Sequence, residues 1–282
     1  MARLDVRKTA KLYIGGAFPR SESGRSYPAL APDGTVLSRV SWASRKDLRD
    51  AVRAARKAQP GWAERSGYNR GQVLYRIAEM LEDRPGTFVD ALAAGGSSGR
   101  EARTEVATSI DRLVWYAGWC DKFAQTYGNL NPVAGPFFNL SAPEPVGVVG
   151  VVAPDEPALL GLVSRVAPAL VPGNALVVLA SEPQPLPAVA FTEVLATSDV
   201  PGGVVNLLTG PKSELLPVLC SHMDVQAVDL AGAARDMVGP MEELAAENVK
   251  RVVGLDGSPY SQHPLLIAAL TETKTVWHPK GL

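Results

Sequence analysis

The side chains that could act as nucleophiles or metal ligands are few and widely separated in this sequence. The two cysteines, Cys120 and Cys220, belong to no CxxC motif, so we interpret them as small buried thiols in a reducing compartment. Cys220 precedes Ser221 and His222, but neighbouring residues on a helix do not face each other, which argues against a Cys-His pair. The histidines are too scattered for metal-ligand spacing, so no metal site is expected.

Asp155 and Glu156 are the acidic residues best placed for chemistry, because they follow an apolar strand pattern. Two carboxylates held close together raise the pKa of one of them, which suits an acid/base pair. The alternative is that they cap the helix expected after Pro157, where negative charge faces the positive end of the helix dipole. We favour the capping interpretation.

Composition indicates an ordinary globular chain and argues against several classes of partner. The 282 residues are 46% hydrophobic and carry a formal net charge of -1, with no long run of like charge. We therefore expect no nucleic acid and no membrane as partner. The N-terminus lacks the apolar core of a signal peptide and no apolar run is long enough to span a bilayer, which predicts a cytoplasmic protein.

Helical patterns dominate the first part of the chain. Ser44 followed by Asp47 predicts a capping box at the start of an amphipathic helix. Three further helices are expected. The second of these starts near Pro85, and the third covers residues 101–123. The sequence thus predicts a mainly helical N-terminal segment over residues 1–128.

The sequence pattern changes at Val146, and the new pattern ends at Gly257. Apolar runs separated by helical stretches cover residues 146–152, 175–179, 204–208, 225–230 and 250–255. Continuous apolar strands that alternate with helices are typical of a parallel sheet covered on both faces. We predict an α/β fold with a Rossmann-like doubly wound parallel sheet over residues 146–257.

The segment TETKTVW, residues 271–277, alternates in the way expected of a half-exposed β-strand. Such a strand needs a neighbour. The PFFNL run lies within residues 129–145, a stretch rich in Pro, Asn and Gly, and we predict that it supplies this neighbour. Residues 129–145 and 258–282 would then form a small β oligomerisation element.

Ligands of open parallel sheets bind beyond the carboxyl ends of the strands, so the turns there are the places to search for a site. None of the turns at residues 153–157, 180–183, 209–212 and 231–234 contains a GxGxxG motif or a P-loop. Gly232 would let the backbone approach a phosphate at a helix N-terminus, but a turn of small residues packing a helix on a sheet explains it as well. The residues alone leave nucleotide binding open.

Several separated motifs resemble the aldehyde dehydrogenase superfamily from Lys11 to about Pro259. They are KLYIGGAF, REARTEVATSIDRLVWYAGWCDKF, EPVGVVGVVAP, RVAPALVPGNALVVLASE and PGGVVNLLTG. The resemblance implies an N-terminal helical segment, a Rossmann-like NAD(P) domain, a catalytic domain with a nucleophilic cysteine, and a small oligomerisation domain that includes a C-terminal strand.

On this resemblance, the cofactor-binding residues that remain are Pro154, Glu182, Gly210 and Gly232. Other contacts are lost. Ala180 stands where the family has a ribose-binding lysine, and the phosphate turn keeps its glycine without either hydroxyl. The implied cofactor is therefore none, or NAD(P) bound weakly.

The resemblance also implies that the catalytic residues are missing. Asp155 falls where the family has an oxyanion-hole motif, and a carboxylate there would repel a developing oxyanion. Gly254 stands at the position of the general base, with Asp256 as a weak substitute. The catalytic domain expected after Pro259 is absent, and neither cysteine lies at a matching place. Without a thiolate no thiohemiacetal forms and no hydride is transferred by the family's route.

These departures lead to one principal hypothesis and two alternatives. We predict a catalytically inactive aldehyde dehydrogenase-like subunit, a scaffold or regulator that assembles with a full-length aldehyde dehydrogenase or, as a weaker version, with itself. The first alternative is an NAD(P)-dependent aldehyde oxidoreductase subunit that retains cofactor binding. The second is an accessory module that binds another metabolite in the emptied cleft.

Overall fold

A computed structural model describes residues 9–254, 258 and 260–281 of the chain. Asp256, the weak substitute for the general base, lies outside the described residues. The strands form one five-stranded sheet and two three-stranded sheets. The division of the chain into domains stays a prediction.

The N-terminal region begins with a small sheet that the helical prediction missed. Its strands are β1 (Thr9–Ala10), β2 (Ser26–Leu30) and β3 (Val36–Ser41), in the order β1-β3-β2. The strands are short and polar and depend on distant contacts: the Thr209 hydroxyl donates to the Ser41 carbonyl at 2.6 Å. The sequence pattern predicted no helix before Ser44, but it also missed these three strands.

Five helices follow this sheet: α1 (Arg45–Ala63), α2 (Gly67–Glu82), α3 (Pro85–Ala94), α4 (Gly99–Ala117) and α5 (Phe123–Tyr127). The capping box at α1 is confirmed, since Asp47 N–H donates to Ser44 Oγ and Ser44 N–H donates to Asp47 Oδ2. The fourth predicted helix is shorter than expected, because α4 ends at Ala117 and a turn separates it from α5.

The remaining elements up to residue 254 alternate as predicted. They are β4 (Asn129–Asn131), β5 (Phe137–Pro145), β6 (Val148–Val152), α6 (Ala158–Leu170), β7 (Ala175–Leu179), α7 (Leu186–Leu195), β8 (Val205–Leu208), α8 (Lys212–Ser221), β9 (Ala227–Asp229), α9 (Arg235–Ala246) and β10 (Arg251–Val253). Strands β6 to β10 form a parallel sheet in the order β10-β9-β6-β7-β8. The Rossmann-like doubly wound fold is thus confirmed, with β9 and β10 shorter than their apolar runs.

The central sheet is buried on both faces, which is why its strands are continuously apolar. Val149 and Val151 point into a core that includes residues of α2, α3, α4, α6 and α7. Val148 and Val152 point the other way, into a core shared with α1, α8 and α9. The alternation follows from the period of two along a strand.

The short helix α10 (Leu265–Ala268) is followed by β11 (Thr271–Pro279), the last strand in the described part of the chain. Strand β11 pairs antiparallel with β5, with Val276 opposite Leu140 and Pro279 opposite Phe137. The predicted pairing of TETKTVW with PFFNL is therefore confirmed. The prediction of a half-exposed strand was wrong, because every residue of β11 after Thr271 is exposed in this chain.

Candidate functional site

The four predicted cofactor residues lie in the turns after β6, β7, β8 and β9, at the carboxyl-end edge of the central sheet. Glu182 and Gly232 take part in a hydrogen-bond network that links these turns. Pro154 and Gly210 serve packing instead. Pro154 faces Gly161 of α6, and Gly210, with φ +144°, leaves only 3.3 Å between an added Cβ and the Ala43 nitrogen.

Lys212 is the central residue of this network. Its ammonium group donates to the Ala153 carbonyl at 2.8 Å, the Gly232 carbonyl at 3.0 Å and Asp155 Oδ1 at 2.7 Å. The side chain is only 8% exposed. Because Lys212 begins α8, its charge lies at the unfavourable positive end of the helix dipole, and nearby acceptors must offset this. That position is the signal that sequence reasoning missed.

Asp155 and Glu182 close the network. Asp155 Oδ1 accepts from the Glu182 N–H at 3.2 Å, and Glu182 Oε2 accepts from the Lys212 N–H at 3.1 Å. Asp155, Glu182, Lys212 and Gly232 therefore connect all four strand-end turns, and we call these four residues the turn network. Asp155 caps the turn at Glu182 and holds Lys212, so the prediction that it caps the helix after Pro157 was wrong.

Gly232 is required by contact between two turns of the protein itself. A Cβ added there would lie 2.1 Å from the Ala153 carbonyl oxygen and 2.6 Å from the Pro154 nitrogen. The Gly232 N–H donates to the Val152 carbonyl at 3.0 Å. The close approach expected at this glycine is thus made to the backbone after β6, and its role toward a cofactor stays a prediction.

The N-terminus of α6 is capped by a carboxylate that is distant in sequence. Glu105 of α4 accepts from the Leu159 N–H at 2.7 Å and the Leu160 N–H at 3.0 Å. These are helix N-terminal donors that would otherwise be free for an anion. Glu156 lies beside this cap, in a cleft of about 800 Å³ that Glu101 and Glu105 also line. The surroundings of this helix end are therefore acidic.

A buried ion pair fixes the turn after β9. Arg165 of α6 donates to Asp229 Oδ2 from Nε at 2.7 Å and from Nη2 at 2.5 Å, and both side chains are almost fully buried. Asp229 Oδ1 accepts from the Ala231 N–H at 3.0 Å. A Cβ on Gly254, where φ is +84°, would lie 2.2 Å from the same Oδ1. The position that the resemblance assigns to a general base thus has no room for a side chain.

The two cysteines are buried, as the sequence predicted. Loss of solvent raises the pKa of the Cys120 thiol to about 12, and the same effect raises the pKa of Cys220 to about 12. Cys120 Sγ donates to the Tyr116 carbonyl of its own helix at 3.6 Å. Because the thiolate is the reactive form, neither group has the environment of a nucleophile.

In residues 9–254, 258 and 260–281, no group of three or more His, Cys, Asp or Glu side chains is arranged to hold a metal ion. Among the helices of the same ranges, none combines the length and the apolar composition that a bilayer crossing requires.

The fold and the strand-end turns define a Rossmann-like α/β protein. The family model described as "Aldehyde dehydrogenase family" matches residues 18–258. The chain belongs to this family.

Named relatives and solved structures agree with that assignment. Cytosolic 10-formyltetrahydrofolate dehydrogenase of Mus musculus is 34% identical over 257 residues, which are 89% of this chain and 28% of that protein. The Bacillus cereus aldehyde dehydrogenase solved as an NAD+ complex has a TM-score of 0.82 and 26% identity, covering 87% of this chain and 50% of that one. HpcC from Thermus thermophilus has a TM-score of 0.81 and 28% identity, covering 87% of this chain and 47% of that one. The chain thus spans half or less of the length of these proteins.

Proposed function

We propose that this chain is a catalytically inactive aldehyde dehydrogenase-family subunit whose work is assembly, as a scaffold or regulator of a full-length aldehyde dehydrogenase. The observation that carries the proposal is the sheet β11-β5-β4, which presents an exposed apolar face and a long strand at its edge. The cytosol is the compartment we propose, in line with the cytosolic relatives.

The inactivity rests on the groups that the chemistry needs. Aldehyde oxidation through a thiohemiacetal requires a thiolate, and burial keeps the pKa of both thiols at about 12. Gly254 has no space for the side chain of a base, because Asp229 Oδ1 occupies it. Asp155 is already engaged by the Lys212 ammonium.

The assembly surface is an apolar row on one face of the small sheet, formed by Leu130, Leu140, Val276 and Phe138. Leu140 pairs directly with Leu130 on one side and with Val276 on the other, so the three side chains share a face, and Phe138 follows two residues away on the same strand. Their exposed fractions are 64%, 48%, 47% and 44% in the order given. Contiguous exposed apolar side chains on a folded protein mark an interaction site.

The edge of this sheet offers a second means of association. Among the described residues, β11 pairs with β5 on one side only, so its nine residues lie at the edge of the sheet. An exposed edge of this length is a template for pairing with a strand of another chain. A full-length aldehyde dehydrogenase is the partner we propose first, and self-association is the weaker version.

An assembly experiment tests this proposal. The chain is co-purified with and without a full-length aldehyde dehydrogenase from the same cell, and the mass of each species is measured by light scattering after size exclusion. We expect a mixed complex that Val276→Glu in the apolar row weakens by at least about tenfold, since a desolvated charge costs well over ~1.4 kcal/mol. Thr273→Glu, on the opposite face of β11, is the matched control. Two independent monomer peaks for the unmodified chain would contradict the proposal.

The second candidate is an NAD(P)-dependent aldehyde oxidoreductase subunit that retains cofactor binding. It is favoured by the similarity to a structure solved as an NAD+ complex. It is opposed by Ala180 and by the commitment of Glu182 to the Lys212 N–H. Titration of NADH fluorescence separates the two candidates, because a Kd below about 1 mM would support the oxidoreductase.

A further inference from the structure

The three acceptors around Lys212 Nζ come from separate strand-end turns. They are the Ala153 carbonyl, the Gly232 carbonyl and the Asp155 carboxylate, at 2.7 to 3.0 Å from the nitrogen. An ammonium group has three N–H donors and no acceptor, so this arrangement satisfies all of them. The same three oxygens offer nothing to a phosphate, which needs donors or positive charge.

Carboxylates at neighbouring helix ends give the crevice between these turns the same preference for a cation. Some donors at two neighbouring helix ends are already used: Glu105 accepts from the Leu159 and Leu160 N–H groups of α6, and Glu182 accepts from the first N–H of α8. Both internal partners are carboxylates, and Glu156 lines the same cleft as Glu105. The crevice therefore favours a cation and disfavours an anion.

We propose that the crevice at the carboxyl ends of β6, β8 and β9 is a primary-ammonium site, which the chain fills with its own Lys212 and from which anionic dinucleotides are thereby excluded. Two effects act together. The lysine side chain occupies the volume where the turns meet, and the acceptors that hold it repel phosphate. The proposal extends the assembly function, but it does not depend on any contact of the small sheet.

The contacts of Lys212 differ from those of an ordinary surface ion pair. Lys274 and Glu144, which pair at 2.9 Å on the small sheet, are 60% and 50% exposed, and such pairs contribute little. Asp155 is 46% exposed, but Lys212 is only 8% exposed and its ammonium also binds two backbone carbonyls. Its main-chain N–H also donates to Glu182 Oε2 at 3.1 Å.

Chemical rescue tests the proposal on the full chain. Lys212→Ala removes three methylene groups and the ammonium, and n-propylammonium replaces those four heavy atoms. We expect Lys212→Ala to lower the Tm by roughly 5 °C or more, and millimolar n-propylammonium to restore a large part of that loss. Tetramethylammonium, which has the charge but no N–H donor, should restore nothing. Lys212→Met, which fills the space without a cation, should not respond to n-propylammonium.

Each outcome decides for or against the proposal. Rescue of Lys212→Ala alone, by n-propylammonium alone, supports the proposal. The proposal is overturned if n-propylammonium and tetramethylammonium have equal effects, if Lys212→Ala and Lys212→Met respond equally, or if neither compound has an effect. If Lys212→Ala does not fold unaided, the yield of folded chain after refolding with each amine gives the same comparison. A wild-type Kd for NADH below about 1 mM would also overturn the exclusion of dinucleotides. The mixed complex with a full-length aldehyde dehydrogenase is a separate measurement, so failure of one proposal leaves the other standing.

Discussion

Gly232 has no side chain, and this allows two turns of the site to approach each other closely. The turn after β9 approaches the turn after β6 so closely that a Cβ would lie 2.1 Å from a carbonyl oxygen. The Lys212 side chain links the same two turns, because its ammonium donates to one carbonyl in each of them. These two residues thus determine how the two turns contact each other, through bonds and close approaches to the backbone.

We predict opposite effects for two glycine-to-alanine substitutions. Gly232→Ala must displace backbone atoms of the turn after β6, and should lower the free energy of unfolding by about 2 kcal/mol or more. Gly61→Ala lies within α1, where nothing is within 4 Å of the new Cβ, and should raise it by up to about 1 kcal/mol. Urea unfolding measures both. Equal effects of the two substitutions would contradict the close contact at Gly232.

The buried thiols make a prediction about alkaline pH. Their folded pKa values of about 12 lie above the unfolded value of about 8.5. Their contribution to stability is therefore fully present below pH ~8.5 and is lost as the pH rises toward 12. In the native protein at pH 8, dithiobisnitrobenzoate should react with neither cysteine within minutes, and in urea it should react with both. Rapid labelling of the folded chain would show that a thiol is accessible and ionised.

At the scale of elements, one carboxylate ties the helical segment to the central sheet. Glu105 on α4 caps α6, which lies against β6 and β7. Helix α6 does not supply this cap from its own sequence, because its N-cap residue is Pro157, which has no side-chain hydrogen bond to offer. The position of α6, and with it Arg165, therefore depends on α4.

We predict that Glu105→Ala destabilises the protein by about 1–2 kcal/mol, since two N–H groups of α6 lose their acceptor. Glu105→Gln keeps an acceptor and should cost less. Glu82→Ala, at an exposed position at the end of α2, is the control and should change the free energy of unfolding by no more than about 0.5 kcal/mol. If Glu105→Ala behaves like the control in urea unfolding, the cap contributes nothing.

At the scale of the whole molecule, Arg112 joins the helical segment to the stretch that leads into β11. Its guanidinium donates to Ser164 Oγ at 2.5 Å, to Gln262 Oε1 at 3.0 Å and to the Ser261 carbonyl at 3.3 Å, and it also contacts the Tyr260 carbonyl. Farther along, Asn174 donates to the Leu270 carbonyl at 3.0 Å. The segment that leads into β11 is thus held by side chains of α4 and of the turn before β7.

We predict that Arg112→Ala makes chymotrypsin cleave after Tyr260 at least about tenfold faster, because loss of these bonds lowers the free energy of local opening by more than ~1.4 kcal/mol. Arg100→Ala, on an exposed position of the same helix, is the control and should leave the rate unchanged. Mass spectrometry of the fragments measures the rate at this bond. An unchanged rate in Arg112→Ala would mean that other contacts hold the segment.

Part of this architecture could be predicted from sequence because its causes are local. Continuous Val and Leu runs predicted the strands of the central sheet, and the Ser44 and Asp47 spacing predicted a capping box that is present. The pairing of TETKTVW with PFFNL followed from alternation and from the resemblance to a family. The short strands β1 to β3 were missed, since their residues carry little apolar pattern and are held by contacts such as Thr209 with Ser41.

The sequence by itself determined the family and the doubly wound sheet. Only the tertiary structure decided which side chains meet at the strand-end turns. Lys212 reaches Asp155 across 57 residues of chain and Glu105 reaches Leu159 across 54. Such contacts leave no periodic signal, because they depend on where the turns and helix ends meet in space. The edge of a parallel sheet brings those turns together, and there an ammonium group fills the crevice.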